Sequence, residues 1–346
     1  MILKIFRIFF LKSQYFSINK LKREEKSMNN NFFSPEGSLI YTQENLSYIS
    51  CLSGLERAMR ENKTLEATAT MCDNDLNLHV DLCGIEGIIP KNECVLTQNG
   101  EPPKDIAIIT RVGKPVCFKV IALESKNDTF VAILSRRAAQ TESRTYYLSS
   151  LIPGDIIDAT VTHLDTFGAF LDIGCGNISL LSIDCISISR IGHPSDRLFV
   201  GQKLKVVVKA NDVENERLYV TLKELLGTWE ENALDFSVGQ TVSGIVRSIE
   251  SYGVFVELSP NLAGLAELRE DRKIFSELRA GDRVSVYIKS IIPEKMKIKL
   301  VLIDLSSDTS SAKQIKYYID TSKTSHLNEW RYSPDYCSKI VGTVFE

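Results

Sequence analysis

The chain repeats itself, and that repetition limits the architectures open to it. Thr166-Phe-Gly-Ala-Phe-Leu-Asp172 recurs as Ser251-Tyr-Gly-Val-Phe-Val-Glu257, and Val200-Gly-Gln-Lys-Leu-Lys-Val206 recurs as Ala280-Gly-Asp-Arg-Val-Ser-Val286. A fainter copy runs through Val80-Asp-Leu-Cys-Gly-Ile-Glu-Gly87, Val112-Gly-Lys-Pro-Val-Cys-Phe-Lys-Val120 and Ile133-Leu-Ser-Arg-Arg137. Self-similarity at a fixed period means that one structural unit is reiterated. Three units of about 70 to 85 residues, the size of small domains, fill the chain from 65 to 304.

Within each unit apolar residues alternate with a period of two, as in strands with one buried face. Leu204, Val206 and Val208 oppose Lys203, Lys205 and Lys209, and Leu218, Val220 and Leu222 alternate with Arg217, Tyr219, Thr221 and Lys223. The third unit turns Val284, Val286, Ile288, Met296, Ile298, Leu300 and Leu302 inward and Arg283, Lys289, Lys295, Lys297 and Lys299 outward. About five strands per unit close most compactly as a barrel, and Gly168 and Gly253 suit its sharp strand bends. The predicted fold is all-β: three tandem five-stranded barrels at 65–137, 151–223 and 236–304, joined by short helical connectors at 138–150 and 224–235. Small helical segments are expected at the ends. The first is 28–64, with a lone helix from Asn45 to Asn62. The second is 305–346, where a polar linker over 306–311 leads to an aromatic stretch, His326 to Pro334, with no evident docking mechanism.

Residues 1–27 read as a tail outside the core. Lys4, Arg7 and Lys12 interrupt its apolar run, which argues against a signal peptide and a membrane span. The tail is either a basic amphipathic surface helix or a stretch upstream of a true start at Met28.

Composition narrows the function. Hydrophobic residues at 44% and charged residues at 25% of 346 fit folded globular domains and not a disordered or multi-span chain. The formal net charge of −3 provides no protein-wide positive field, so any site for an anion must be local. The eight cysteines form no CxxC pair and are expected as reduced thiols of a cytoplasmic protein. No cofactor or metal site is expected. His79, His163, His193 and His326 lack a partner nucleophile and read as surface or structural residues, and Gly174-Cys-Gly176 lacks the rest of a nucleotide fingerprint.

Phe170 is the most informative residue. With Ala169, Leu171 and Ile173 in the core, alternation turns Phe170 outward on the face of Asp172, and Phe255 outward beside Glu257. An exposed ring is costly unless a flat partner such as a nucleobase covers it. Phe167 and Tyr252 extend the platform, and the basic rows Lys203 to Lys209 and Arg283 to Lys299 are placed to follow phosphates. The alternative is that the rings pack on a connector helix or a neighbouring barrel and the lysines form a solvated face.

These units resemble the S-one RNA-binding motif, a barrel of the oligonucleotide-binding (OB) fold named after bacterial ribosomal protein S-one, from about 65 to 304. In that family a Phe or Tyr precedes the Gly, a second Phe follows two residues later, a His often lies on the third strand, and an Asp and an Arg flank the last turn. The second unit matches at Phe167, Phe170, Asp212 and Arg217, with Ser182 at the His position. The third matches at Tyr252 and Phe255; Lys297 stands for the Arg, Glu267 for the His and Pro293 for the Asp. The first departs furthest, with Leu76 and His79 at the aromatic positions and Pro90 at the His. Its Ser135-Arg-Arg137 ending resembles early repeats that dock on the ribosome.

The resemblance implies a non-catalytic protein of the small ribosomal subunit that holds single-stranded messenger RNA in translation. The binding residues it points to are Phe167, Phe170, Lys205, Lys209, Asp212, Arg217, Tyr252, Phe255, Arg283, Lys289, Lys297 and Lys299. Enzymes that carry this motif need catalytic domains larger than the terminal segments here. No membrane partner is expected, and a monomer is the default. A rival reading is an interaction scaffold whose degenerate barrels bind ribosomal or other proteins, favoured by Asp155, Asp158, Asp165, Asp172, Asp184 and Asp196 in the second unit.

Overall fold

A computed structural model describes residues 33–97, 101–126, 129–267, 278–305 and 315–345. The tail 1–27 and the linker 306–311 lie outside these residues. The alternating segments form three closed five-stranded barrels. The first contains β1 (Leu65–Cys72), β2 (Leu78–Leu82), β3 (Ile85–Ile89), β4 (Pro115–Lys126) and β5 (Thr129–Ser135). The second contains β6 (Ile156–Asp165), β7 (Gly168–Gly174), β8 (Asn177–Ser182), β9 (Lys203–Asp212) and β10 (Arg217–Thr221). The third contains β11 (Thr241–Glu250), β12 (Gly253–Ser259), β13 (Leu262–Glu267), β14 (Arg283–Ile292) and β15 (Lys297–Leu305). In each, three strands form an antiparallel meander, the fifth pairs parallel with the third, and the fourth closes on the first. The inward residues read from alternation, such as Ala169, Leu171, Val206 and Val220, form the core of the second barrel.

Gly168 and Gly253 are required by close packing. A Cβ at Gly168 would lie 2.5 Å from the Leu181 carbonyl oxygen, and one at Gly253 would lie 2.7 Å from that of Ala266. The lone helix expected at 45–62 is two helices, α1 (Gln43–Ile49) and α2 (Leu52–Arg60). Cys51 breaks them because its backbone is extended, at φ −157° and ψ 158°. A short helix, α3 (Asp105–Ile109), lies in the first barrel's long loop, and α4 (Arg136–Ser150) links the first barrel to the second. Between the second and third, α5 (Trp229–Ala233) starts with a capping box of Thr228 and Glu231, which satisfies two otherwise unpaired N–H groups.

Asp172 and Glu257, expected on an outer face, point away from their own barrel interiors but are only 3% and 4% exposed, because each is covered by a neighbouring element. At the first junction the Glu36 N–H donates to Asp172 Oδ2 at 2.8 Å. The Glu36 carboxylate accepts from Arg136 Nε (2.7 Å) and Nη2 (3.0 Å) and from the Cys117 N–H of β4 (3.1 Å). Asp172 Oδ1 accepts from the N–H groups of Gly174 and Gly176 at 2.8 and 3.0 Å. Glu66 of β1 anchors the same segment by accepting from the N–H groups of Gly37, Leu39 and Ile40. At the second junction Glu257 accepts from both Arg197, in the loop after β8, and Arg247 of β11, and Arg247 also pairs with Asp196. Asp81, which precedes the corresponding turn of the first barrel, is exposed and accepts from the Gly84 N–H at 3.0 Å.

The C-terminal aromatic stretch has a docking site after all. Residues 315–345 strap the second barrel to the third. The strap receives the Ile156 N–H on Ser325 O (2.9 Å), pairs His326 with Asp155 (2.9 Å) and receives the Lys205 N–H on the Tyr317 hydroxyl (2.9 Å). Its far end, with β16 (Glu329–Arg331) and β17 (Gly342–Val344) as a small sheet, packs Trp330 and Tyr332 into the third barrel's core. Gly154, at φ +95°, is needed where the strap crosses, since a Cβ there would lie 2.0 Å from Leu327 O.

Removing one partner of a buried ion pair leaves the other charge uncompensated, so Glu36→Ala is expected to cost about 3–5 kcal/mol in urea unfolding; a loss below about 1 kcal/mol would contradict the junction. Burial, reinforced by the Glu36 carboxylate, pushes Asp172 up to about 7. Between about pH 4, where an unfolded aspartate titrates, and about pH 7, the native group keeps a proton that the unfolded chain has lost. Its contribution to stability therefore falls as pH rises through that window. The stability of the wild type relative to Asp172→Asn is expected to decline across it, and a constant or rising difference would refute the assignment.

Candidate nucleic-acid interface

The site grows from the tight turn between β6 and β7. Asp165 pairs with Gly168, so Thr166 and Phe167 form the turn, and Phe167 stands half exposed at its tip, at 50%. Phe170 is half-buried and meets the Phe167 ring edge-on, with centroids 5.8 Å apart and planes at 90°. Register sets its other neighbours: His163 on β6 and Leu180 on β8 lie opposite Phe170, and Tyr219 on β10 lies beside Leu180. A row of His163, Phe170, Leu180 and Tyr219 thus crosses four strands. His163, read from sequence as a structural or surface residue, stacks on Phe170 at 6.0 Å and 28°. Counting back from the two-residue turn places it there.

In the next row, Ile178 on β8 is exposed and Arg217 on β10 lies opposite Asp212 on β9. Asp212 uses its carboxylate within the turn, accepting from the Asn215 N–H (3.1 Å) and Nδ2 (2.8 Å). The Asn215 side-chain bond, with this backbone N–H, holds it below the usual carboxylate range. Lys209 sits where β9 shifts register against β10, and its Nζ lies 3.2 Å from Cys185 Sγ just past β8. Lys205 is placed apart from this row. It lies across β6 from β7, pairs with Asp158 at 2.8 Å, and has its backbone N–H on the strap's Tyr317. The lysine row read along β9 therefore does not run beside Phe170.

The third barrel repeats the row. Tyr252 is 60% exposed and meets Phe255 edge-on at 6.2 Å and 89°. Ser248 and Leu265 lie opposite Phe255, and Lys299 lies beside Leu265 in the place of Tyr219, its Nζ 3.3 Å from Glu267. Lys297 precedes Lys299 by two residues on the outward side of the same strand, and Lys289 is exposed where β14 shifts register. Arg283, opposite Ile245 on β11, sits two strands from Phe255. The first barrel has no Phe or Tyr in this row. His79 occupies the position of Phe170, between Met71 and Ile88, and is held by Asp73 (3.2 Å) and Glu86 (2.9 Å). Hydrogen bonds, chiefly from Asn77 to Asp73, hold that acid down at about 2.

Among the described residues no group of three or more His, Cys, Asp or Glu is placed to hold a metal ion, and no helix is long and apolar enough to cross a membrane. The arrangement offers two ring-edged apolar platforms with a few cations around each, a surface that fits flat bases joined by phosphates.

Half-buried rings contribute less to folding than core residues. Phe170→Ala and Phe255→Ala are each expected to cost about 1–2 kcal/mol of stability, against about 2–5 kcal/mol for Leu171→Ala. Thermal and urea unfolding of the three variants would show the difference, and equal losses would place the rings in the core.

Residues 150–223, which include the second barrel, match the S1 RNA binding domain. The chain is 31% identical over 232 residues to small ribosomal subunit protein bS1 of Rickettsia conorii, covering 64% of this chain and 39% of that one. It thus spans about two fifths of that relative's length. It is 30% identical over 274 residues to bS1 of Staphylococcus aureus, covering 76% of this chain and 67% of that protein. A solved structure of an uncharacterized protein from Methanocaldococcus jannaschii matches 21% of this chain and 99% of its own at 32% identity, with a TM-score of 0.20. The match across two thirds of a bS1 chain, carried on repeated five-stranded barrels, identifies this protein as a member of the bS1 family of small ribosomal subunit proteins.

Proposed function

We propose that this chain binds single-stranded RNA without catalysing a reaction, and that it holds messenger RNA on the small ribosomal subunit in the cytoplasm. The observation that carries this reading is the recurrence of one ring pair, Phe167 with Phe170 and Tyr252 with Phe255, at equivalent turns of two barrels. Stacking accepts any base and requires it unpaired, so single strands are the fitting ligand. Arg217, Lys209, Lys289, Lys297 and Lys299 supply local positive charge, in keeping with a chain of net charge −3. The barrels act as units over 65–137, 151–223 and 236–304. The first, whose platform position holds a histidine pinned by two acids, serves protein docking on the ribosome.

Fluorescence polarisation with single-stranded and duplex RNA tests the reading. Phe170→Ala and Phe255→Ala are each expected to weaken single-strand binding by about 1–3 kcal/mol, with duplex bound far more weakly. With about three phosphates neutralised, log K should fall with log salt at a slope of roughly −2, which Arg217→Ala flattens by up to about 0.7 and Phe170→Ala leaves unchanged. A slope steeper than about −5 would show that the phosphate backbone dominates, and unchanged affinity in both Phe variants would remove the platforms from the site.

A further inference from the structure

The aromatic row of the second barrel continues past the barrel itself. On the β8 and β10 side it opens into a cleft of about 560 Å3, walled by α4 and the first barrel. Sites for small ligands span roughly 300–1,000 Å3, so the space suits a group of nucleotide size. Its floor carries Phe170, Ile178, Leu180 and Tyr219, neighbours in two adjoining outward rows of β7, β8 and β10. Its rim is cationic, with Arg217 from β10, Arg144 from α4 and Arg111 from the first barrel.

Two features mark this cleft as a place for a ligand. Arg144 pairs with Glu216 at 3.0 Å, an exposed bond between α4 and the turn before β10. An exposed pair of this kind is weak, so a phosphate exchanges for the carboxylate at little cost. Nε of Arg111 is buried and has no hydrogen-bond partner among the described residues, although Nη1 of the same side chain lies 3.4 Å from Glu36. A buried donor without a partner is unfavourable, and the Arg111 side chain lines the same cleft.

We propose that this cleft is a second nucleotide subsite on the RNA path. A base adjoining the one stacked on Phe170 packs against Tyr219 and Leu180, and its phosphate lies between Arg144 and Arg217. The inference rests on the RNA-binding reading above and extends it: α4, a connector between barrels, becomes one wall of the binding track. The ligand is a strand and not a free mononucleotide, because the floor is continuous with the Phe170 platform.

The test uses the full chain and a fluorescein-labelled oligouridylate of about ten nucleotides, within the span of one OB fold. Arg144→Ala and Tyr219→Ala are each expected to lower affinity about fivefold or more. Tyr219→Leu preserves an apolar floor while removing the ring and is expected to show a loss of at least about threefold, which separates stacking from folding. Glu216→Gln frees Arg144 and is expected to raise affinity about twofold. A purely structural ion pair would make Arg144→Ala and Glu216→Gln act in the same direction, and that result overturns the proposal. Displacement of the strand by equimolar uridine monophosphate would overturn it as well. Phe170→Ala in the same assay keeps the two readings apart. Loss at Phe170 with none at Arg144 and Tyr219 removes the cleft alone, whereas loss at none of the three removes both.

Discussion

A buried carboxylate on the outer side of a barrel's second strand holds that barrel to its neighbours. Asp172 receives the N-terminal segment through Glu36, which in turn holds Arg136 of the connecting helix. Glu257 receives two guanidiniums, one from the preceding barrel and one from its own. The buried ion pairs, Glu36 with Arg136 and Glu257 with its two guanidiniums, are expensive to desolvate, so their partners must be held in one arrangement, and changing the arrangement means exposing an unpaired ion in a dry site. The C-terminal strap adds a second tie between the last two barrels. The result is a chain of barrels with fixed junctions in which the surfaces beside the locks also have fixed neighbours.

Those surfaces are the ring platforms. Phe170 and Phe255 lie on the same strands as Asp172 and Glu257 and two residues before them, so the junctions determine what stands beside each platform. For the second barrel it is α4, with Arg144 at the rim of the cleft. For the third it is Arg247 of β11, next to Ser248 and committed to Glu257 and Asp196. The same strand edge that fastens one barrel to the next therefore sets the surroundings of the ring platforms. Lys203 and Lys205 of β9 are on another side, where Asp158 and the strap have already engaged Lys205. Under the proposed RNA-binding reading few cations remain for phosphates, and stacking is expected to carry the larger share of the interaction.

The barrels were legible in the sequence because alternation of Val, Leu and Ile with charged residues has a single geometric meaning in a strand. The repeat supplied the number of units, and Phe167, Phe170, Tyr252 and Phe255 were legible because an aromatic at an outward position is conspicuous. What lay beyond single strands was not. Asp172 and Glu257 point outward as alternation says, yet they are buried by segments distant in sequence, Glu36 and Arg197 among them. Alternation names the side of a strand and is silent about what covers it. The break between α1 and α2 turned on the extended backbone of one residue, Cys51, and the strap's site depended on a groove made by two barrels together. His163 was within reach, since the length of the β6–β7 turn fixes its partner.

Photocrosslinking of a single-stranded RNA carrying 4-thiouridine, mapped by mass spectrometry on the full chain, tests the central claim most directly. Crosslinks are expected at Phe167, Phe170 and Tyr219 of the second barrel and at Tyr252 and Phe255 of the third, with the first barrel unlabelled. Crosslinks concentrated on β9 around Lys205, or on the first barrel around His79, would contradict it.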